Sequence, residues 1–306
     1  MRLVLDARTA AFAALIDHAG LFPPVSQSMP DAVDSYRKIR SGSLAWAAGR
    51  FLCRASQLSD LAAVATSTFT QGETPWEISV VFDLSPGESA AHAVDFEAEM
   101  DPVMTIAAAE ANLTEPTGGA TDSLLNAMLS VAPEVVPFIE VDRSVPIAAQ
   151  VDLITHALHS HRRVGGANLR CGGVTVDQFP TSAEVAEFIM ACTDQRLPFK
   201  FTAGLYQPIR HFDEDLGIER HGFVNVLMAA ALAADGSDIR TVESAVADTD
   251  TDDFSLSAAF ASWQGHEVPG SALRRMRQTG FTAYGSCDFD EPIQALERLG
   301  FLGGGA

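Results

Sequence analysis

The feature that most constrains this chain is a repeated alternation. A short apolar run is followed by a stretch with apolar residues at helical spacing, again and again along the sequence. Strands are predicted at 50–54, 77–84, 103–109, 135–141, 167–171, 197–202 and 282–286. Between them, Leu124, Leu125, Met128 and Leu129 share one helix face, as do Ile147, Val151, Ile154 and Leu158. Thr181-Ser182-Ala183-Glu184 has the pattern of a capping box before a further helix, and Asp290-Glu291-Pro292 opens a last one.

Strands that alternate with helices imply a parallel sheet covered by helices. Six to eight such units over about 250 residues fit a closed (β/α)8 (TIM-type) barrel better than an open doubly wound sheet. The α/β barrel is expected over 46–306, with a helical arm over 1–45 made of one helix at 8–17 and a second begun by Ser28-Met29-Pro30-Asp31. The seventh unit is the irregular one. Residues 235–280 read as a helix, an acidic turn and a hairpin between Phe254 and Trp263, and 222–234 is apolar enough to be a buried helix. The stretches least suited to order are 248–253 and the tail 303–306.

Composition narrows the partners. A formal net charge of −20 repels phosphate backbones and anionic lipid, so neither nucleic acid nor a membrane surface is an expected partner, and the charge itself reads as solubility. Cys53, Cys171, Cys192 and Cys287 are scattered and form no CxxC pair, which argues against a zinc ribbon, a redox motif or a disulfide framework. Met1-Arg2-Leu3-Val4-Leu5-Asp6 meets an acid before any long apolar run and does not read as a signal peptide; a cytoplasmic location is expected. No G-x-G-x-x-G follows the first strand, and no cofactor is expected. The expected partner is a small-molecule substrate, anionic or carbonyl in character, with assembly as a homo-oligomer left open.

In a parallel barrel the strand ends open on one face, which carries the site. Those ends offer Arg54, Asp83, Glu110, Glu140, Arg170, Lys200 with Thr202, and Ser286. Lysine is rare in this chain: Lys38 and Lys200 stand against eighteen arginines. Lys200 lies in Pro198-Phe199-Lys200-Phe201-Thr202-Ala203-Gly204, where period-two alternation puts Lys200 and Thr202 on one side and both phenylalanines on the other. With the rings packed on helices, Lys200 points into the barrel, and desolvation there would depress its pKa as a Schiff-base nucleophile needs. A lysine that binds an anionic substrate, or one that bridges to Glu140, fits the same position.

Arg170-Cys171-Gly172-Gly173 suits an anion, or is an ordinary glycine turn. His211 is a candidate acid or base with Glu140, and Arg54 and Arg170 are candidate anion anchors. His18, His211 and His221 with Glu110 or Glu140 make an alternative metal set, although none has tight ligand spacing. The basic cluster His156 to Arg163 closes a helix and reads as dipole complementation.

Lys200-Phe201-Thr202-Ala203-Gly204 resembles the Lys-Thr-x-x-Gly strand of class I aldolases of the deoxyribose-phosphate type. The resemblance implies a Schiff-base lysine on the sixth barrel strand. It covers five residues, the threonine is displaced by one position, and the second lysine of that family has no counterpart here. Asp17-His18-Ala19-Gly20-Leu21-Phe22-Pro23-Pro24, Leu169 to Gly173, Lys200 to Leu205 and Gly285 to Pro292 resemble an uncharacterised bacterial family, which implies no activity. The expectation is thus a barrel enzyme of lyase or aldolase type acting through Lys200 with Glu140 and His211. Asp83, Glu110, Thr202, His18 and Ser286 join Arg54 and Arg170 in binding substrate. Metal-assisted chemistry and a non-catalytic barrel with paired strand-end charges are the alternatives.

Overall fold

Closing the barrel takes a strand that lies inside the expected first helix. A computed structural model describes residues 6–69, 72–173 and 175–302. Helix α1 (Ala7–Phe12) is capped by Asp6 and stops where Ala13 leaves helical geometry and Ala14 turns at φ 47°. The next residues form strand β1 (Ile16–His18), which pairs in parallel on both sides. Residues 16–18 therefore belong to the barrel wall, which corrects both the helix at 8–17 and the helical arm over 1–45. A three-residue strand is too short to display a period, and its alanine-rich approach has high helix propensity.

The other wall strands are β2 (Ala48–Arg54), β3 (Trp76–Val81), β4 (Met104–Asn112), β5 (Val136–Glu140), β6 (Gly166–Arg170), β7 (Phe199–Thr202) and, after an insertion, β13 (Phe281–Ser286). They close in the order β1-β13-β7-β6-β5-β4-β3-β2, all parallel, as a (β/α)8 barrel. Helices α2 (Met29–Ser41), α3 (Leu58–Thr68), α4 (Pro86–Met100), α5 (Gly118–Leu129), α6 (Ile147–Ser160) and α7 (Ser182–Gln195) each follow one strand and lie outside it. Their starts are chemically marked. Ser28, Ser85, Thr117 and Thr181 each accept a backbone N–H from the first turn.

The insertion between β7 and β13 is where the unit is irregular, as expected. A hairpin of β8 (His211–Asp213) and β9 (Ile218–Arg220) rises beside the barrel mouth. Helix α8 (Phe223–Ala234) follows and is buried from Phe223 to Ala233. Helix α9 (Ile239–Ala247) leads to a three-stranded sheet of β10 (Phe254–Leu256), β11 (Phe260–Trp263) and β12 (His266–Pro269), then to α10 (Gly270–Thr279). The expected hairpin is thus present with a third strand added. Residues 248–253 are folded as a turn in which Asp248 accepts the Trp263 indole N–H at 2.7 Å. The tail 303–306 lies outside the described residues. Helix α11 (Asp290–Arg298) completes the ring.

Side chains that leave β7 outward meet an aromatic shell: Phe199 and Phe201 stand 5.6 and 5.7 Å from Phe188 of α7. Arg277 of α10 closes the opposite, N-terminal end. Its buried guanidinium donates to the carbonyls of Ala11, Ala13, Phe281 and Thr282, tying α1 to the start of β13. Among the described residues, no helix is long and apolar enough to cross a membrane.

Candidate active site

With Phe199 and Phe201 turned outward, Lys200 points into the barrel as alternation requires, and it is fully buried. Its Nζ stands 2.6 Å from Asp17 Oδ2 of β1 and donates to Glu110 Oε1 of β4. Ser79 of β3 donates to the same Glu110 oxygen at 2.6 Å, and Asn168 Nδ2 of β6 donates to Oε2 at 2.9 Å. Asp17 Oδ1 accepts the Arg50 backbone N–H at 2.7 Å. Gly49 makes that approach available, because a Cβ there would fall 2.2 Å from the same oxygen. The Phe138 ring lies 5.4 Å from Nζ.

This surrounding reverses the expected pKa. Burial alone disfavours the ammonium, but the Asp17 and Glu110 carboxylates outweigh it and hold the Lys200 pKa above the ordinary lysine value. For Glu110, burial favours the neutral acid. The Lys200 charge and the hydrogen bonds from Lys200, Ser79 and Asn168 prevail, and its pKa lies below the usual carboxylate value. In this network the charged forms of Lys200 and Glu110 are both favoured, Lys200 as ammonium.

Directly above, at the C-terminal mouth, lies a cavity of about 490 Å³. It is divided in character. Leu52, Val81, Ala19, Gly285 and Cys287 form an apolar side, with Phe22, Pro23 and Pro24 as its lip. Glu110, Glu140, Asn168, Arg170 and Thr202 form a polar side, and Tyr206, Asp213 and Arg220 stand at the rim. Glu140 Oε1 accepts from Arg170 Nε at 3.1 Å and Oε2 from Thr202 Oγ1 at 2.8 Å. Arg220 reaches Asp213 at 2.7 Å, with its guanidinium 4.9 Å from the Tyr206 ring. At the base of the rim the ends of β6 and β7 almost touch. A Cβ on Gly204, which sits at φ 77°, would meet the Cys171 carbonyl oxygen at 2.3 Å, so glycine is required.

Of the expected residues, the structure brings Glu110, Glu140, Arg170 and Thr202 together in the cavity wall, with Lys200 one layer below. The others lie elsewhere. Arg54 stacks behind Phe22 at 4.2 Å and donates to the Leu21 carbonyl and to Gln57. Asp83 accepts from the backbone and hydroxyl of Ser56. Ser286 is buried and donates to the Asp288 carbonyl. His18 faces outward, stacked on Tyr36. His211, in the hairpin, lines a separate groove with Arg210 and Arg298. His221 is buried against Arg210 and the Pro180 carbonyl. The three histidines do not converge on Glu110 or Glu140, and among the described residues no group of three or more His, Cys, Asp or Glu side chains is placed to hold a metal ion.

Asp17, Ser79 and Asn168 were not anticipated. The last two carried a signal: each is one polar residue inside an apolar strand, in Ile78-Ser79-Val80 and Ala167-Asn168-Leu169, and alternation turns both into the barrel. Asp213, Tyr206 and Arg220 come from the insertion, whose path no local pattern gives.

Neither a protein-family model nor a curated protein matches this chain.

Proposed function

We propose that the chain is an enzyme of small-molecule metabolism, of lyase type, whose substrate occupies the mouth cavity and exchanges a proton with Glu140. The observation that carries this is the buried contact of Lys200 with Asp17 and Glu110 directly beneath a largely apolar cavity. Barrel interiors are ordinarily filled by branched apolar residues. Burying charges costs desolvation that a packed apolar layer avoids, so such a network is poor value as a stabiliser and points to a site. Lys200 acts as a positioning residue here. As ammonium it keeps Glu110 charged and fixes the field at the cavity floor. Glu140 lies in the wall with both oxygens oriented, by Arg170 and Thr202, as a proton acceptor needs.

A second reading is the Schiff-base aldolase route through Lys200. Its support is the inward, fully buried amine beneath the cavity. The two carboxylates that raise its pKa oppose it, and Lys200 stands on the seventh wall strand rather than the sixth that the aldolase resemblance implies. The paired charges Glu140–Arg170 and Asp213–Arg220 also suit a non-catalytic barrel, but that alternative gives no reason for the buried contact below.

The test is proton NMR of a panel of carbonyl and amino metabolites in D₂O with the wild type and Glu140→Gln. The wild type should exchange or cleave a C–H or C–C bond in at least one member. Folded Glu140→Gln should be at least about 100-fold slower. Turnover indifferent to that substitution, or none across the panel, would reject the reading. A borohydride-stable adduct on Lys200 would replace it with the aldolase route.

A further inference from the structure

The cavity floor states what kind of head group it takes. Asn168 is buried in that floor, and its Nδ2 is committed to Glu110 Oε2 at 2.9 Å. An ionised carboxylate only accepts, so the amide cannot be reversed, and Oδ1 is the remaining atom. That oxygen is buried and has no hydrogen-bond partner among the described residues. A buried acceptor left without a donor is costly, and a ligand that supplies an N–H or O–H removes the cost.

The charge around the cavity selects among donors. Four carboxylates line it, Glu110, Glu140, Asp213 and Asp215, against the guanidinia of Arg170 and Arg220. Beneath the floor Lys200 is matched by Asp17. Arg277 belongs to the opposite end of the barrel, bound to carbonyls. The cavity is therefore in a negative field, and both guanidinia are already paired, with Glu140 and Asp213. Each guanidinium already shares its charge with a carboxylate, so an anion entering here meets a carboxylate excess that a cation does not. The opposite side of the cavity, with Leu52, Val81 and Phe22, offers only apolar contact.

We propose that this site takes a compound with a primary ammonium head and an apolar body, the head donating to Asn168 Oδ1 and the body lying against the Leu52–Val81 side. The inference rests on the cavity being the substrate site. An ammonium brings three donors and the complementary charge to one point. One observation runs the other way: Arg220 Nε, at the rim, is a buried donor without a partner, so an acceptor could be served there.

The test is an NMR titration of the methyl-labelled, full-length protein with benzylamine, benzyl alcohol and benzoate, which share a body and differ in the head. Benzylamine should bind at least tenfold tighter than benzoate, with benzyl alcohol between them, and should shift the methyls of Leu52 and Val81. Its advantage should shrink as salt is added. Asn168→Leu should lower its affinity at least tenfold; should that variant fail to fold, the wild-type order decides alone. Benzoate binding tighter than benzylamine while moving the same methyls would overturn the ammonium head, point to Arg220 Nε, and leave the cavity reading standing. Shifts absent at Leu52 and Val81 for all three compounds would overturn the cavity as the substrate site, and the head-group inference with it.

Discussion

Lys200 Nζ and Asp17 Oδ2 stand 2.6 Å apart across the closure of the barrel, one on β7 and the other on β1, with β13 between them. The contact ties the seventh wall strand to the first, across the eighth. It also makes Lys200 the shared counter-ion of two buried carboxylates, since Glu110 meets it from β4.

Lys200→Met should accordingly leave Asp17 and Glu110 as uncompensated buried charges. The expected loss of stability at neutral pH is about 3–5 kcal/mol. The pH dependence has a definite sign. In the wild type the Lys200 contribution is complete below the ordinary lysine value of 10.5 and is lost only as pH rises through its higher folded value. The Glu110 contribution is complete above 4.5 and is lost as pH falls through its lower folded value. The wild-type network should therefore be insensitive to pH between those limits. In Lys200→Met the carboxylates can relieve themselves by protonation, so the deficit should narrow as pH falls. Urea denaturation of both proteins at about pH 7 and about pH 5 measures it. Equal stability at pH 7 would mean that the network contributes nothing to the fold.

His18 makes a prediction that does not depend on the site. The ring is buried, stacked 5.5 Å from Tyr36, and neither nitrogen has a hydrogen-bond partner among the described residues. Burial lowers its pKa from 6.5 to about 4. Between these values the unfolded chain binds more protons than the folded one, so this contribution is complete above 6.5 and lost as pH falls towards 4. The loss amounts to about 3 kcal/mol. His18→Leu should lose that much less stability than the wild type between pH 7 and pH 4. His221, also lowered to about 4 by burial, is present in both proteins and cancels. Parallel pH slopes for the two proteins would show that His18 titrates as an exposed histidine does.

How far the sequence could be read follows from the same residues. Wall strands of four or more residues between helical periods were legible, and with them the barrel and the inward direction of Lys200. Glu110, Glu140, Arg170 and Thr202 were found because strand ends in a parallel barrel share one face. Asp17 was hidden because β1 is three residues long in an alanine-rich context. Its role arises only when β13 brings it beside Lys200, far along the chain. For the same reason desolvation of Lys200 could be foreseen, but not its two carboxylate partners, and they decide the direction of its pKa. His211 was placed by its nearness to Lys200 in the sequence, and Ser286 by its position at a strand end. The hairpin turns one outward, and a backbone carbonyl occupies the other.

Arg277 should prove a structural keystone of the end away from the site. It is buried, no carboxylate among the described residues forms an ion pair with it, and its guanidinium donates to four backbone carbonyls. Arg277→Met should cost about 3 kcal/mol or more, because each buried carbonyl left unpaired costs about 1–3 kcal/mol before relaxation. Arg277→Lys should recover only part of it, since a point charge cannot span the fork that reaches both α1 and β13. Ligand affinity at the mouth should be unchanged in the folded fraction of either variant. Chemical denaturation with the NMR titration checks both statements.

Arg170 separates orientation from stability at the site itself. Its side chain is 45% exposed and its bond to Glu140 is a partly solvated pair, so Arg170→Met should change stability by no more than about 1 kcal/mol. Its effect on chemistry should be larger. Without Arg170 Nε, Thr202 is the remaining side-chain donor to Glu140 among the described residues, and the carboxylate is free to swing about that one bond. On whichever substrate the metabolite panel yields, kcat should fall about tenfold or more, by loss of orientation. Thr202→Val should act in the same direction through the other oxygen. The double variant should lose less than the product of the two single effects if both serve one carboxylate. Strictly multiplicative losses in kcat would assign Arg170 and Thr202 separate tasks, and Glu140 would no longer be the group they jointly position.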